Sequence, residues 1–144
     1  MKNILLISVV FLFSCTSQKK EILLDTTTST EEIPQTPYVM VLGVAQDAGY
    51  PQIGCKEKCC IPALNNQSLS RFPSCISLVN SSTKKYWLFD VTPDIKKQVQ
   101  MLDSYECSLS GVFITHAHIG HYMGLINFGL EVMNLNSIPV YVMP

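Results

Sequence analysis

The sequence predicts a mixed α/β fold with some parallel pairing of strands, and three observations lead to that prediction. Short apolar runs rich in β-branched and aromatic residues indicate strands, and polar turns separate them. Segments with apolar residues at helical spacing follow two of these runs. The chain has three histidines, His116, His118 and His121, and all of them fall at one change from strand to helix. Ligands in α/β proteins collect at the carboxyl ends of strands, so we expect a site there.

The predicted elements form one domain from Tyr38 to Pro144. Two of the strands are joined by the polar turn 80–84, which is typical of a hairpin. The first helix begins near Pro93, where a missing N–H group costs little, and Thr92 or Asp94 caps it. In order, the elements are a strand over 39–45, strands over 74–79 and 85–90, a helix over 93–103, a strand over 112–114, a helix over 120–134 and a strand over 138–143.

Length and charge restrict the class of protein. The 144 residues suffice for one domain of ordinary size. The formal net charge is -1, and no block of basic residues is present. We therefore expect no nucleic-acid partner.

The amino terminus predicts export and a lipid anchor. A short positive start precedes an apolar core that is too short to span a bilayer, so residues 1–14 are expected to be a signal peptide. The run Leu12-Phe13-Ser14-Cys15 resembles a bacterial lipobox, which implies cleavage before Cys15 and lipidation of its thiol. An ordinary signal peptide with an incidental cysteine is the alternative. Residues 15–37 are rich in serine and threonine and are expected to form a flexible tether.

The three histidines predict a metal site. His116 and His118 are two residues apart, so their side chains leave an extended segment on the same side. His121 approaches from the turn into the following helix. Neutral imidazole is a common ligand of zinc and also suits iron and manganese. Asp90 ends the preceding strand and is expected either to support a ligating histidine by a hydrogen bond or to serve as a turn residue.

A second cluster consists of Cys55, Cys59 and Cys60, half of the six cysteines in the chain. Three interpretations remain open: a small structural metal site, a disulfide in an oxidising compartment, or free thiols in a loop, which an oxidising environment disfavours. Cys75 or Cys107 would then supply a fourth ligand or a disulfide partner.

The segment from Thr115 to His121 resembles the His-x-His-x-Asp-His motif of the metallo-β-lactamase fold hydrolases. Residues 41–52, the nearby cysteines and residues 90–95 further resemble the branch that contains the pyrroloquinoline quinone biosynthesis protein B. This resemblance implies an αββα sandwich and hydrolysis of an ester, amide or phosphodiester. It also implies that His116 and His118 bind the first metal ion, that His121 belongs to the second metal site and that Asp90 supports the site.

The chain departs from the family pattern in two respects. Gly120 occupies the position of the motif aspartate, so we expect one metal ion rather than two. The family sandwich has two similar halves, and only the first is present here, without a later histidine. We therefore expect a fragment of a longer protein, with a homodimer of paired halves as the alternative.

These observations predict a zinc-dependent hydrolase, with iron or manganese as alternative metals. It would be a lipoprotein of the bacterial cell envelope, with its domain in the periplasm and a small-molecule substrate of unknown identity. The alternatives are a non-catalytic, lipid-anchored protein of the same fold that binds a small molecule, or a role related to quinone cofactor biosynthesis.

Overall fold

The computed structural model describes residues 33–46 and 48–144. The predicted signal peptide, Cys15 and most of the predicted tether lie outside the described residues, as does Asp47. Residues 33–37 have no regular secondary structure and precede the first strand. Within the described part, no helix is long and apolar enough to cross a membrane.

One five-stranded sheet organises the fold, and its strands lie side by side in chain order. The first three strands pair antiparallel, and the last three pair parallel. The predicted hairpin and the predicted mixture of helices with partly parallel strands are therefore confirmed. The strands are β1 (Tyr38–Gly43), β2 (Cys75–Asn80), β3 (Lys85–Phe89), β4 (Ser108–Ile114) and β5 (Val140–Val142).

The helices are shorter than the sequence predicts. In the described residues, the α-helices are α1 (Ile61–Asn65), α2 (Ile95–Gln100) and α3 (Ile119–Tyr122), and 3-10 helices cover Gln67–Leu69, Asp103–Tyr105 and Met123–Phe128. Asp94 occupies the N-cap position of α2, and the Thr92 hydroxyl accepts a hydrogen bond from the Asp94 amide at 3.1 Å, outside the first helical turn, so Thr92 does not cap the helix. The Asp94 side chain makes no capping hydrogen bond.

The predicted helix over 120–134 is wrong in its extent. Four residues of α3 lead into a 3-10 helix that ends at Phe128, and turns follow. The cause is a tertiary contact, because the Gly124 amide donates to the Val91 carbonyl at 2.9 Å. A side chain at Gly124 would collide with the Thr92 carbonyl. Packing of Gly124 against Val91 and Thr92, which follow β3, therefore ends the helix although the apolar residues continue at helical spacing.

One face of the sheet carries the core. Alternate residues of the strands point to it, and Leu42, Val79, Leu88 and Val112 are all at most 1% exposed. Ile95 of α2 covers this face and is equally buried.

The opposite face of the sheet is also apolar. Phe89, Phe113 and Tyr141 stack across neighbouring strands with ring centroids 4.9 and 4.7 Å apart. Val39 and Val41 on the same face remain more than half exposed. Among the described residues, this face is only partly covered, as expected for one half of a sandwich.

We predict that Gly124→Ala lowers the free energy of unfolding by about 1–3 kcal/mol, because the added methyl group meets the Thr92 carbonyl. Gly129→Ala is the matched control, since its nearest neighbour would lie 3.8 Å away and its φ is -64°. The control should change stability by less than about 0.5 kcal/mol. Urea denaturation of both variants measures the difference, and equal midpoints would contradict the proposed packing.

Candidate metal centre

The site lies where two parallel strands end side by side. Phe89 of β3 is paired with Phe113 of β4, so the residues after these strands meet at one edge of the sheet. The Asp90 amide continues the ladder and donates to the Phe113 carbonyl at 2.8 Å. Asp90 and Thr115 are therefore neighbours although 25 residues separate them in the chain.

Asp90 adopts a left-handed backbone conformation with φ of 69°. Aspartate tolerates this region better than most residues, but the conformation still carries a cost. The side chain is buried, with 5% of the residue exposed. Its carboxylate accepts hydrogen bonds from the Thr115 amide at 2.8 Å and from the Thr115 hydroxyl at 2.9 Å. These bonds stabilise the turn and compensate for burial of the charge.

The same carboxylate orients His121. Oδ2 of Asp90 lies 2.8 Å from Nδ1 of His121, and both side chains are about nine-tenths buried. A carboxylate accepts hydrogen bonds, so we assign the imidazole proton to Nδ1, which leaves the Nε2 lone pair free. The structure thus contains the hydrogen bond that the sequence predicted between Asp90 and a candidate ligand. Metal-ligating histidines are commonly oriented in this way.

Thr115 extends this control to His116. The Thr115 hydroxyl donates to Asp90 and lies 2.9 Å from Nδ1 of His116. With its proton directed at Asp90, the hydroxyl oxygen accepts from Nδ1–H, and the lone pair of His116 is placed on Nε2. Sequence reasoning did not assign a role to Thr115. Its position, directly after a strand and directly before the first histidine, is the sequence feature that could have indicated this role.

His116 and His118 present nitrogen atoms to each other. Nε2 of His116 lies 3.2 Å from Nδ1 of His118, and the ring centroids are 4.7 Å apart. Two nitrogens bound at 2.0–2.1 Å to a tetrahedral zinc ion lie roughly 3.3 Å apart. The donor set and this spacing therefore fit a metal ion between the two rings.

His121 completes the group on the other side of His116. The two ring centroids are 4.0 Å apart. The histidines are nevertheless not fully converged: in residues 33–46 and 48–144, only Cys55, Cys59 and Cys60 bring three ligand atoms within 4.8 Å of one another. His116 lies between the other two rings and separates them. Because His118 is exposed, its side chain can turn toward the others at little cost.

Gly120 lies in α3 between the candidate ligands His118 and His121, and it is buried. A cavity of about 290 Å³ beside it is lined by Ala48, His118 and Ile119. Glycine has no side-chain donor atom, so this position supplies no ligand. Binding of a single ion by the three imidazoles stays a prediction.

The cysteine cluster lies in the segment directly before α1. Cys55 and Cys60 are joined by a disulfide, and Cys59 is a free, exposed thiol. The Tyr50 hydroxyl donates to the Cys59 carbonyl at 2.6 Å and holds the loop. Of the three interpretations left open by the sequence, the structure contains the disulfide for Cys55 and Cys60 and a free thiol for Cys59.

Cys75 and Cys107 do not join the cysteine cluster, so the expected fourth ligand or disulfide partner is not one of them. The Cys75 thiol donates to the Asp90 carbonyl at 3.4 Å. Burial, reinforced by the negative charge of Asp90, raises the pKa of Cys75 to about 12. Cys75 therefore remains a protonated thiol that packs beneath Asp90.

An open groove of about 650 Å³ runs beside His116. Its walls are mostly apolar and come from the ends of β4 and β5 and from the segment after α3. The polar groups at its edge include Thr115, His116 and Tyr122. A small molecule in this groove would lie against the exposed imidazole of His116.

Comparison with solved structures shows that the described sheet is part of the metallo-β-lactamase fold. One similar structure is Zn(2+)-bound PqqB from Methylobacterium extorquens, which is 24% identical in sequence with a TM-score of 0.61. The match covers 74% of this chain and 37% of that protein. Another is a diphosphatase from the PhnP family, 24% identical with a TM-score of 0.54, matched over 73% of this chain and 41% of that one.

The chain thus spans about two fifths of the length of the solved structures that it matches. No protein-family model matches the sequence, and no curated protein matches it. The similarity establishes the fold, including its partial extent, and confirms the fold class expected from the histidine motif.

We predict that Asp90→Ala lowers the free energy of unfolding by about 3 kcal/mol, because the Thr115 amide and the His121 imidazole lose a buried partner. Asp90→Asn should cost less, since asparagine tolerates the left-handed backbone and still accepts from Thr115. Asp94→Ala is the control, because the Asp94 side chain makes no capping hydrogen bond, and it should cost less than about 1 kcal/mol. Thermal unfolding of the three variants measures these differences. A similar loss of stability in Asp90→Ala and Asp94→Ala would contradict the assigned role of Asp90.

Proposed function

We propose that this chain is the metal-binding part of a metal-dependent hydrolase of the metallo-β-lactamase superfamily. The observation that carries the proposal is the hydrogen-bond network of Asp90. One carboxylate fixes His121 directly and His116 through Thr115, so that both rings direct Nε2 away from the network. Such control of ring orientation is typical of metal ligands.

His116, His118 and His121 would hold one ion. Zinc is the proposed metal, because imidazole nitrogen suits it and the solved PqqB structure is zinc-bound; iron and manganese are alternatives. A bound ion would activate a water molecule and polarise the substrate oxygen. The chain's own residues fix the ligand geometry, and the buried Asp90–His121 pair resists displacement of one ligand.

The complete active site would need more than this chain. Catalytic zinc usually has three protein ligands and an open position, and two of the three histidines here are exposed. Because the similar structures are much longer than this chain, we propose that further polypeptide of a longer protein covers the open sheet face and closes the site. Pairing of two copies is the alternative.

The proposed substrate is a small molecule with an ester, amide or phosphodiester bond. The mostly apolar groove beside His116 supports a small-molecule substrate. One of the similar structures is a diphosphatase, which supports testing phosphoesters first. A role related to quinone cofactor biosynthesis is suggested by the likeness to PqqB.

A non-catalytic small-molecule-binding protein is the second candidate, and Gly120 is the observation that favours it. This buried position lies between two candidate ligands and has no side chain to bind a second ion or orient water. A protein that binds one metal ion but hydrolyses none of the tested substrates would have this function.

We further propose that the chain is a lipid-anchored protein of the bacterial cell envelope, with its folded domain in the periplasm. The resemblance of residues 12–15 to a lipobox supports this proposal. Two or more acyl chains on Cys15 would provide a stable anchor.

We predict close to one equivalent of zinc, iron or manganese in the purified full chain by elemental analysis. The His116→Ala/His118→Ala double variant should lose the metal, because the facing nitrogens at 3.2 Å are removed. The matched control replaces Cys55, Cys59 and Cys60 with serine and should retain it. Metal that persists in the histidine variant but disappears in the cysteine variant would contradict the proposed centre.

We predict that Cys15→Ser abolishes lipidation of the protein, because the thiol that would carry the lipid is removed. Labelling with a fatty-acid analogue should mark the unaltered chain and not the variant. Cys59→Ser is the control and should leave labelling unchanged, because Cys59 lies in the folded domain. Equal labelling of the Cys15→Ser variant would contradict the anchor.

A further inference from the structure

The connection Asp90–Thr92 is held from both sides. On the side of the candidate ligands, the Val91 amide donates to the His121 carbonyl at 2.7 Å, and the Val91 carbonyl accepts from Gly124 at 2.9 Å. With the bond from the Asp90 side chain, this connection makes two direct contacts with His121. The position of the His121 ring therefore depends on the position of these three residues.

The opposite side of the connection is held by Gln98. This residue of α2 is fully buried, as is Thr92. The Thr92 hydroxyl donates to Oε1 of Gln98 at 2.6 Å, and Nε2 of Gln98 donates to the Pro73 carbonyl at 2.9 Å. Both halves of the amide thus have a partner, and the side chain joins the connection to the segment that enters β2.

The surrounding structure is shaped to admit this amide. A Cβ atom at Gly43 would lie 2.8 Å from Nε2 of Gln98 and would collide with the Pro73 carbonyl. Thr92 also accepts from the Asp94 amide, so its hydroxyl has a donor and an acceptor. A buried glutamine whose amide oxygen and nitrogen both form hydrogen bonds is held in one orientation. Gln98 therefore fixes the position of its partners and does more than fill space in the core.

We infer that Gln98 is a positioning residue for His121 and acts through Thr92 and the backbone of Val91. Gln98 fixes Thr92, and Thr92 fixes the turn in which Asp90 holds its left-handed conformation. That turn sets both the hydrogen-bond partner and the backbone anchor of His121. The inference rests on the proposed function only in taking His121 as a metal ligand.

The test is nuclear magnetic resonance of the ring nitrogens of His121 in the metal-free full chain, at one mildly alkaline pH. Gln98→Met keeps the length of the side chain and removes the amide, and Thr92→Val removes the other partner of the same hydrogen bond. Both variants should lose the Nδ1–H signal that the unaltered chain shows, as the ring gains the other tautomer. Leu102→Ala is the control: Leu102 follows α2, is 2% exposed and has no polar atom in this network, so the signal should persist.

A folded Gln98→Met variant with an unchanged Nδ1–H signal would overturn the inference. If that variant fails to fold, Thr92→Val decides by the same measurement, and an unchanged signal there overturns it equally. Metal affinity gives a second readout, with roughly tenfold weaker zinc binding expected for Gln98→Met and none of this loss for Leu102→Ala. Failure of the unaltered chain to bind zinc, iron or manganese would refute the proposed function, while the tautomer measurement would still decide the role of Gln98.

Discussion

The buried carboxylate of Asp90 is the constraint on which the candidate centre depends. It joins the end of β3 to the start of the histidine segment through Thr115, and it fixes His121 from α3. A buried charge is stable only when its hydrogen bonds are made, so the three partners and the carboxylate require one another. The metal-binding geometry is therefore linked to folding of the sheet edge, and it does not rest on flexible side chains alone.

The left-handed turn at Asp90 explains much of the surrounding packing. Such a conformation persists where neighbouring structure determines it. Here Cys75 lies beneath the turn, Gln98 anchors the next residues, and Gly124 allows close approach from the other side. Core, connection and candidate ligands thus form one packed unit around a turn of three residues.

Local sequence patterns predicted a large part of this structure. Short apolar runs joined by a polar turn predicted the hairpin, and the order of strands and helices predicted some parallel pairing. The clustered histidines predicted a candidate metal centre at a strand end, and the structure places them after β4, with His121 beside Asp90. The second helix was over-predicted because the Gly124 contact with Val91 is tertiary and leaves no periodic signal. The roles of Thr115 and Gln98 were also missed because they depend on tertiary contacts. Thr115 bonds to Asp90 and Gln98 bonds to Pro73, each 25 residues away in the chain, and the bond between Thr115 and His116 depends on the imidazole tautomer.

The central claim is that imidazole nitrogens, and not cysteine thiolates, form the metal centre of this chain. X-ray absorption at the zinc edge of the zinc-loaded protein tests it most directly, because zinc–nitrogen distances are about 2.0–2.1 Å and zinc–sulfur distances about 2.3 Å. The account predicts a shell of nitrogen and oxygen ligands with the multiple scattering typical of histidine. A shell dominated by sulfur would contradict it and would place the metal at Cys55, Cys59 and Cys60, whose three sulfur atoms lie within 4.8 Å of one another in the described part of the chain.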